Sequence, residues 1–78
     1  MIETILEERQ TTHGHFADNA QVSQALKEIM RDTTRYTPIQ AEAIDMICLK
    51  LSRIASNPDV KDHWDDIAGY ATLAANDL

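Results

Sequence analysis

Residues that stop a helix are scarce in this chain. Two glycines and two prolines are spread over 78 residues. The segments between them are rich in Ala, Leu, Glu, Gln and Ile, all of which favour helix. The breaks can therefore be placed directly. "HGHFADN" carries turn chemistry around Gly14, and "SNPD" stops a helix ahead of Pro58. "TPIQ" starts one, with Thr37 as N-cap, Pro38 at the first helical position and Gln40 three residues after the cap, which is a capping box. Four helices follow: Ile2 to Arg9, about Ala17 to Arg31, Thr37 to Ala55, and Asp59 (as the cap) to Ala75. Residues 1–16 thus form a short helix and a loop. In that loop Phe16 is expected to anchor to the core, with Asp18 or Asn19 capping the second helix. The short turn at "SNPD" makes the last two helices an antiparallel hairpin. The expectation is one all-α domain over residues 1–78, built on that hairpin and completed as a bundle by dimerisation.

So short a chain has a small core. Cys48 is the only cysteine, which excludes an internal disulfide and a Cys-rich zinc site. A lone buried thiol fits a reducing cytoplasm. No apolar run reaches the ~20 residues of a membrane span, and the acidic "MIETILEERQ" has no basic n-region of a signal peptide, so no membrane partner is expected. The net charge of −6, with no basic cluster, argues against direct nucleic-acid binding. It suits divalent cations or a basic protein partner.

The hairpin helices each have two faces worth naming. At about 100° per residue, Ile44, Ile47, Cys48, Leu51, Ile54 and Ala55 form the expected core face of the third helix, with Glu42, Asp45, Met46, Leu49 and Arg53 roughly opposite. In the fourth, Trp64, Ile67, Ala68, Ala71 and Ala75 face the core, while Asp62, Asp66, Gly69 and Leu73 line the other side. In the second helix Val22, Ala25, Leu26, Ile29 and Met30 recur at helical spacing. If a second copy of the chain covers the acidic faces, Glu42, Asp45, Asp62 and Asp66 converge where unpaired carboxylates are costly. An oxygen-only ligand set of that density suits Mg²⁺ or Mn²⁺. The other reading is that Asp62, Asp65 and Asp66 are helix-start charges favoured by the dipole. Lys50 and Arg53 are candidate contacts to substrate phosphates, or else partners of nearby acids. His13 and His15 flank Gly14 without a third ligand, so a zinc site is not expected.

The segment "EAIDMICLKLSRIASNPDVKDHWDDIAGYATLAA" resembles a group of small phage and prophage proteins of unassigned function. These join a basic pair on one helix to a D-H-W-x-D-I-A-G-Y segment on the next. The resemblance runs from "HGHFADN" to the C-terminus, about four fifths of the chain. More remotely the chain is similar to the MazG-like all-α nucleoside triphosphate pyrophosphohydrolases, in which E-E-x-x-E on one helix and E-x-x-D on the next hold Mg²⁺. Glu42 and Asp45 match the spaced pair of the first run, and Asp66 matches the final aspartate. Ala41 stands in place of the doubled glutamate, Asp45 in place of a glutamate, and His63 three residues before Asp66. The resemblance implies three functions: Mg²⁺-assisted cleavage of an NTP or dNTP on Glu42, Asp45, Asp62 and Asp66; nucleotide binding without turnover; or a non-catalytic helical module, most simply a homodimer, that binds and modulates a host protein in the host cytoplasm. The carboxylates discriminate. Gathered in one pocket they favour chemistry; splayed into solvent they favour interaction.

Overall fold

A computed structural model describes residues 2–31 and 35–78. These residues form four helices and no strand: α1 (Ile2–His13), α2 (Phe16–Arg31), α3 (Pro38–Ser56) and α4 (Lys61–Asn76). The fold is all-α. The capping box forms as the sequence predicts: Thr37 Oγ1 accepts from the Gln40 N–H at 3.1 Å, and Gln40 Oε1 accepts from the Thr37 N–H at 3.0 Å. Between α3 and α4 the turn is fixed by two side chains. Asn57 Oδ1 accepts from the Asp59 N–H at 3.1 Å, and the Trp64 indole N–H donates to the Pro58 carbonyl at 2.8 Å.

Several expectations need correction at this level. α1 runs one turn past Arg9, so the break narrows to Gly14 and His15. Because α2 already begins at Phe16, Asp18 and Asn19 lie inside it and do not cap it, and the Phe16 ring is 85% exposed rather than anchored. Asp59 is not the cap of α4: Val60 holds that position and makes no side-chain cap bond.

α3 is the central helix. It packs on α2 and on α4, which do not pack on each other, while α1 contacts α2 and α3. A row of three helices has no second layer to close its apolar faces. The molecule is accordingly long, at 42 × 23 × 22 Å, with a radius of gyration of 13.7 Å against about 11.5 Å for a compact domain of this length.

The helix faces turn differently from the periodicity. On α4 the covered positions are Val60, His63, Ile67, Tyr70 and Ala74, whereas Trp64, Ala68, Ala71 and Ala75 are exposed. The inward face has rotated by roughly a quarter turn, at 100° per residue, from the one the apolar pattern marks. On α2 the fully buried residues are Asn19 and Ser23, while Val22, Ala25, Ile29 and Met30 face outward. On α3, Leu51 and Ala55 are exposed, and Met46, Leu49 and Arg53 are half-buried on the face read as acidic. Among the described residues Ala43 and Cys48 are the buried hydrophobics, beside four buried polar residues: Asn19, Ser23, Ser52 and His63.

Candidate functional site

The carboxylates and cations of the hairpin set the first question. Lys50, whose side chain is largely covered, reaches from α3 to Asp66 on α4 at 3.0 Å. Asp65 pairs with Lys61 at 2.6 Å, one turn back on the same helix, as expected of a helix-start acid with an i,i+4 partner. That contact raises the Lys61 pKa, first through the hydrogen bond and then through the charge. Asp62 and Glu42 are exposed. Asp45 is half-buried and lines a cavity of about 180 Å³ against Lys27, Arg31 and Tyr36, on the opposite flank of α3 from the Lys50–Asp66 pair.

These four acids therefore do not meet within one chain. Among the described residues no three His, Cys, Asp or Glu side chains come close enough to hold a metal ion. Mg²⁺ takes about six oxygen ligands, several of them water, and needs carboxylates converging on one point. The donor set of a single chain does not fit it. Helical phase explains the failure. Asp45 and Lys50 lie about 140° apart on α3, so the helix that covers Asp45 is α2 and the one that meets Lys50 is α4.

What the fold gathers instead is a polar cluster around the α1–α2 turn. Gly14 adopts φ +80°, the left-handed region that glycine enters without steric cost. This lets α1 stop and α2 start within two residues. His63 Nε2 lies 2.7 Å from the Thr12 carbonyl. A carbonyl oxygen only accepts, so this nitrogen carries the proton. The His63 ring, 2% exposed, meets the His13 ring edge to face, with centroids 5.0 Å apart and planes at 84°. The Asn19 amide donates to the His13 carbonyl, and the Ser56 hydroxyl donates to Asn19 Oδ1 at 2.9 Å. α1, α2, α3 and α4 are thus tied at one end by buried hydrogen bonds, each group satisfied as burial demands. The sequence reading had marked "HGHFADN" as a turn and "DHW" as acids around a core tryptophan. It missed that His63 is the buried residue of the second motif and that it reaches the first. The signal was present in phase: His63 shares a helix face with Val60, Ile67, Tyr70 and Ala74.

Two groups complete the electrostatics. His13 has its pKa lowered, chiefly by burial and then by electrostatic interaction with Arg53, His63, Arg9 and Lys50. Cys48 has its thiol pKa raised by burial and by Asp45, so it stays protonated and is a poor nucleophile.

The helical architecture and this polar knot define a small all-α domain. The chain belongs to a family described as a domain of unknown function (DUF6378), whose model matches residues 2–77. No curated protein and no solved structure matches it. No helix among the described residues is long and apolar enough to cross a membrane.

Proposed function

We propose that this chain is one half of a homodimer and acts as a non-catalytic helical module that binds a partner protein. The observation that carries this reading is apolar surface left open. A folded monomer of 8.8 kDa exposes about 4,800 Å², whereas this chain exposes 5737 Å². The excess, about 950 Å², is close to the roughly 800 Å² that each partner contributes to a standard interface. The large apolar residues in the open surface include Ile5, Leu6, Ile29, Trp64 and Leu73, each more than half exposed, a larger set than scattered single exposures account for. A second copy is the simplest cover, because two-fold pairing presents the same face from both chains.

The splayed carboxylates support association over hydrolysis. In this reading the chain keeps the helical frame of the phage proteins and MazG-like enzymes it resembles while lacking their gathered Mg²⁺ ligands. Its −6 charge favours a basic host protein in the host cytoplasm, where the reduced Cys48 is at home. Gly69 lies beside Leu73 and lines one cavity with it: a Cβ added there meets nothing within 4 Å in the single chain, so its openness leaves room for a neighbouring helix.

Sedimentation equilibrium tests the reading. The expected mass is twice 8.8 kDa at micromolar concentration, and Leu73→Glu shifts it to monomer. Gly69→Ala separates the alternatives further. In a monomer it stabilises the helix by about 0.8–1 kcal/mol, whereas in a dimer packed at Gly69 it weakens association. A wild-type chain that sediments as monomer at ~100 μM, well above the micromolar Kd ordinary for a stable interface, removes the proposal.

A further inference from the structure

The acidic surface of this protein conceals one cationic cleft. Two cavities, of about 170 and 150 Å³, run between α1, α2 and α3 and join around Arg53, Asn19 and Phe16, which line both. Arg9 lines the first, and Lys27 and Ser23 line the second. Neither Arg53, Arg9 nor Lys27 makes an ion pair among the described residues. Among the described residues the acid that acts on Arg53 is Asp66, and Asp66 is already paired with Lys50. Cations gathered around one cleft repel one another, and a half-buried one such as Arg53 also loses hydration. Arg53 registers both effects, its pKa lowered first by burial and then by Arg9.

An independent observation points into the same cleft. The Ser23 hydroxyl, on a residue 2% exposed, is buried without any hydrogen-bond partner among the described residues. Native proteins rarely leave such a group unmet, and here it borders a cavity that holds room for a ligand. Neighbouring Asn19 does not serve it: its amide donates to the His13 carbonyl and its oxygen accepts from Ser56.

We propose that the cleft between α1, α2 and α3 binds a phosphoryl group, free or as a phosphate ester, with Arg53 and Arg9 as its cations and the Ser23 hydroxyl as a further donor. A tetrahedral dianion fits two guanidinium forks, which bond it in pairs of parallel N–H donors, and Lys27 supplies a point charge from α2. At about 30 Å³ per water, each cavity holds about five water volumes. That is space for a phosphate in one and for the esterified group in the other, where the exposed Phe16 ring offers a stacking surface. The cleft lies within one chain, so it stands independently of the proposed dimer.

Isothermal titration at constant ionic strength, with sodium chloride as the reference salt, tests the site using inorganic phosphate, adenosine 5′-monophosphate and adenosine alone. Saturable heat is expected for at least one of the two phosphate ligands and none for adenosine. Arg9→Gln and Arg53→Gln should each weaken binding tenfold or more, and Ser23→Ala severalfold. Arg9 is exposed on α1, so its replacement leaves folding intact and keeps the test valid if Arg53→Gln fails to fold. Tighter binding of the monophosphate than of phosphate assigns the ester as ligand; equal or weaker binding assigns free phosphate. The absence of saturable heat for both, or affinity unchanged by Arg9→Gln, overturns the site.

Discussion

Gly14 is the position at which one methyl group should do the most harm. Its backbone sits at φ +80°, and a Cβ there would fall inside van der Waals contact of both the Cβ and the Oγ of Ser56, and 3.2 Å from Asn19 Oδ1. Two costs add in Gly14→Ala. Placing an L-residue in the left-handed region costs about 1–2 kcal/mol, and forcing a methyl into a filled site costs about 1–3 kcal/mol. The total, about 2–5 kcal/mol, is a large share of the 5–15 kcal/mol that holds ordinary domains together. Ser56→Gly alone gives up its hydrogen bond to Asn19, worth about 1 kcal/mol. It also removes the atoms in the way. In Gly14→Ala/Ser56→Gly the steric cost should vanish while the backbone cost stays, so the double variant should be more stable than additivity predicts by about 1–3 kcal/mol. Urea denaturation followed by far-ultraviolet circular dichroism, at one fixed protein concentration, gives all four corners of the cycle. If Gly14→Ala leaves the protein unfolded, recovery of the transition in the double variant is the readout. Additivity within about 0.5 kcal/mol would falsify the contact between the α1–α2 turn and the end of α3.

Two further outcomes bear on the site. Because the carboxylates are dispersed, Mg²⁺ and Mn²⁺ should leave the melting temperature of the chain and of Asp66→Asn alike; a saturating site would add about 2.7 kcal/mol at a hundred times its Kd, and a rise of that size abolished by Asp66→Asn would reinstate metal-dependent pyrophosphate chemistry. The second concerns acid. His13 has its folded pKa lowered from 6.5 by burial and by Arg53, His63, Arg9 and Lys50, so just below that pH the unfolded chain binds more protons than the folded one and stability must fall as pH drops. The urea midpoint should therefore decrease from pH 7.5 to pH 5.5, less steeply in His13→Gln; a midpoint that climbs on acidification, or an unchanged slope in the variant, refutes this placement of His13.

The helices were legible because breakers are so few. Thr37, Pro38 and Gln40 encode a start that needs no tertiary information, since every atom of the capping box lies within four residues. The four-residue turn at 57–60 is equally local. Faces are another matter. Periodicity reports which side of a helix avoids water and says nothing about which neighbour covers it. On α4 the pattern through Trp64, Ala68 and Ala71 marks an apolar side, yet the side turned to α3 holds His63, Ile67 and Tyr70. The indole of Trp64 finds its partner at the Pro58 carbonyl in the turn instead. Within one chain Asp45 and Asp66 lie apart for the same reason. Each azimuth could be read from the sequence, whereas the placement of α2 over one flank of α3 and α4 over the other could not. The polar knot escaped because His63 and Thr12 are 51 residues apart, and no local rule links them.

The inversion of these faces has an energetic consequence. Within the single chain, polar Asn19, Ser23, Ser52 and His63 are buried while Ile5, Ile29, Trp64 and Leu73 face outward. Hydrogen bonds inside fix geometry, but each contributes only about 0.5–1.5 kcal/mol net, and ordering a residue costs about 1.5 kcal/mol. Apolar burial has to make up the difference, and in the protomer it comes from small buried Ala43 and Cys48 together with half-buried Ile44, Ile47, Leu49, Ile54 and Ile67. Covering one leucine or isoleucine side chain contributes about 1.5–3 kcal/mol, so closing several outward-facing ones in the proposed dimer would add several kcal/mol to the stability of each protomer. Folding and association then become one equilibrium, with a midpoint that depends on protein concentration. In the proposed dimer the polar interior would set the register of the helices, and the apolar exterior would meet its copy to complete the core.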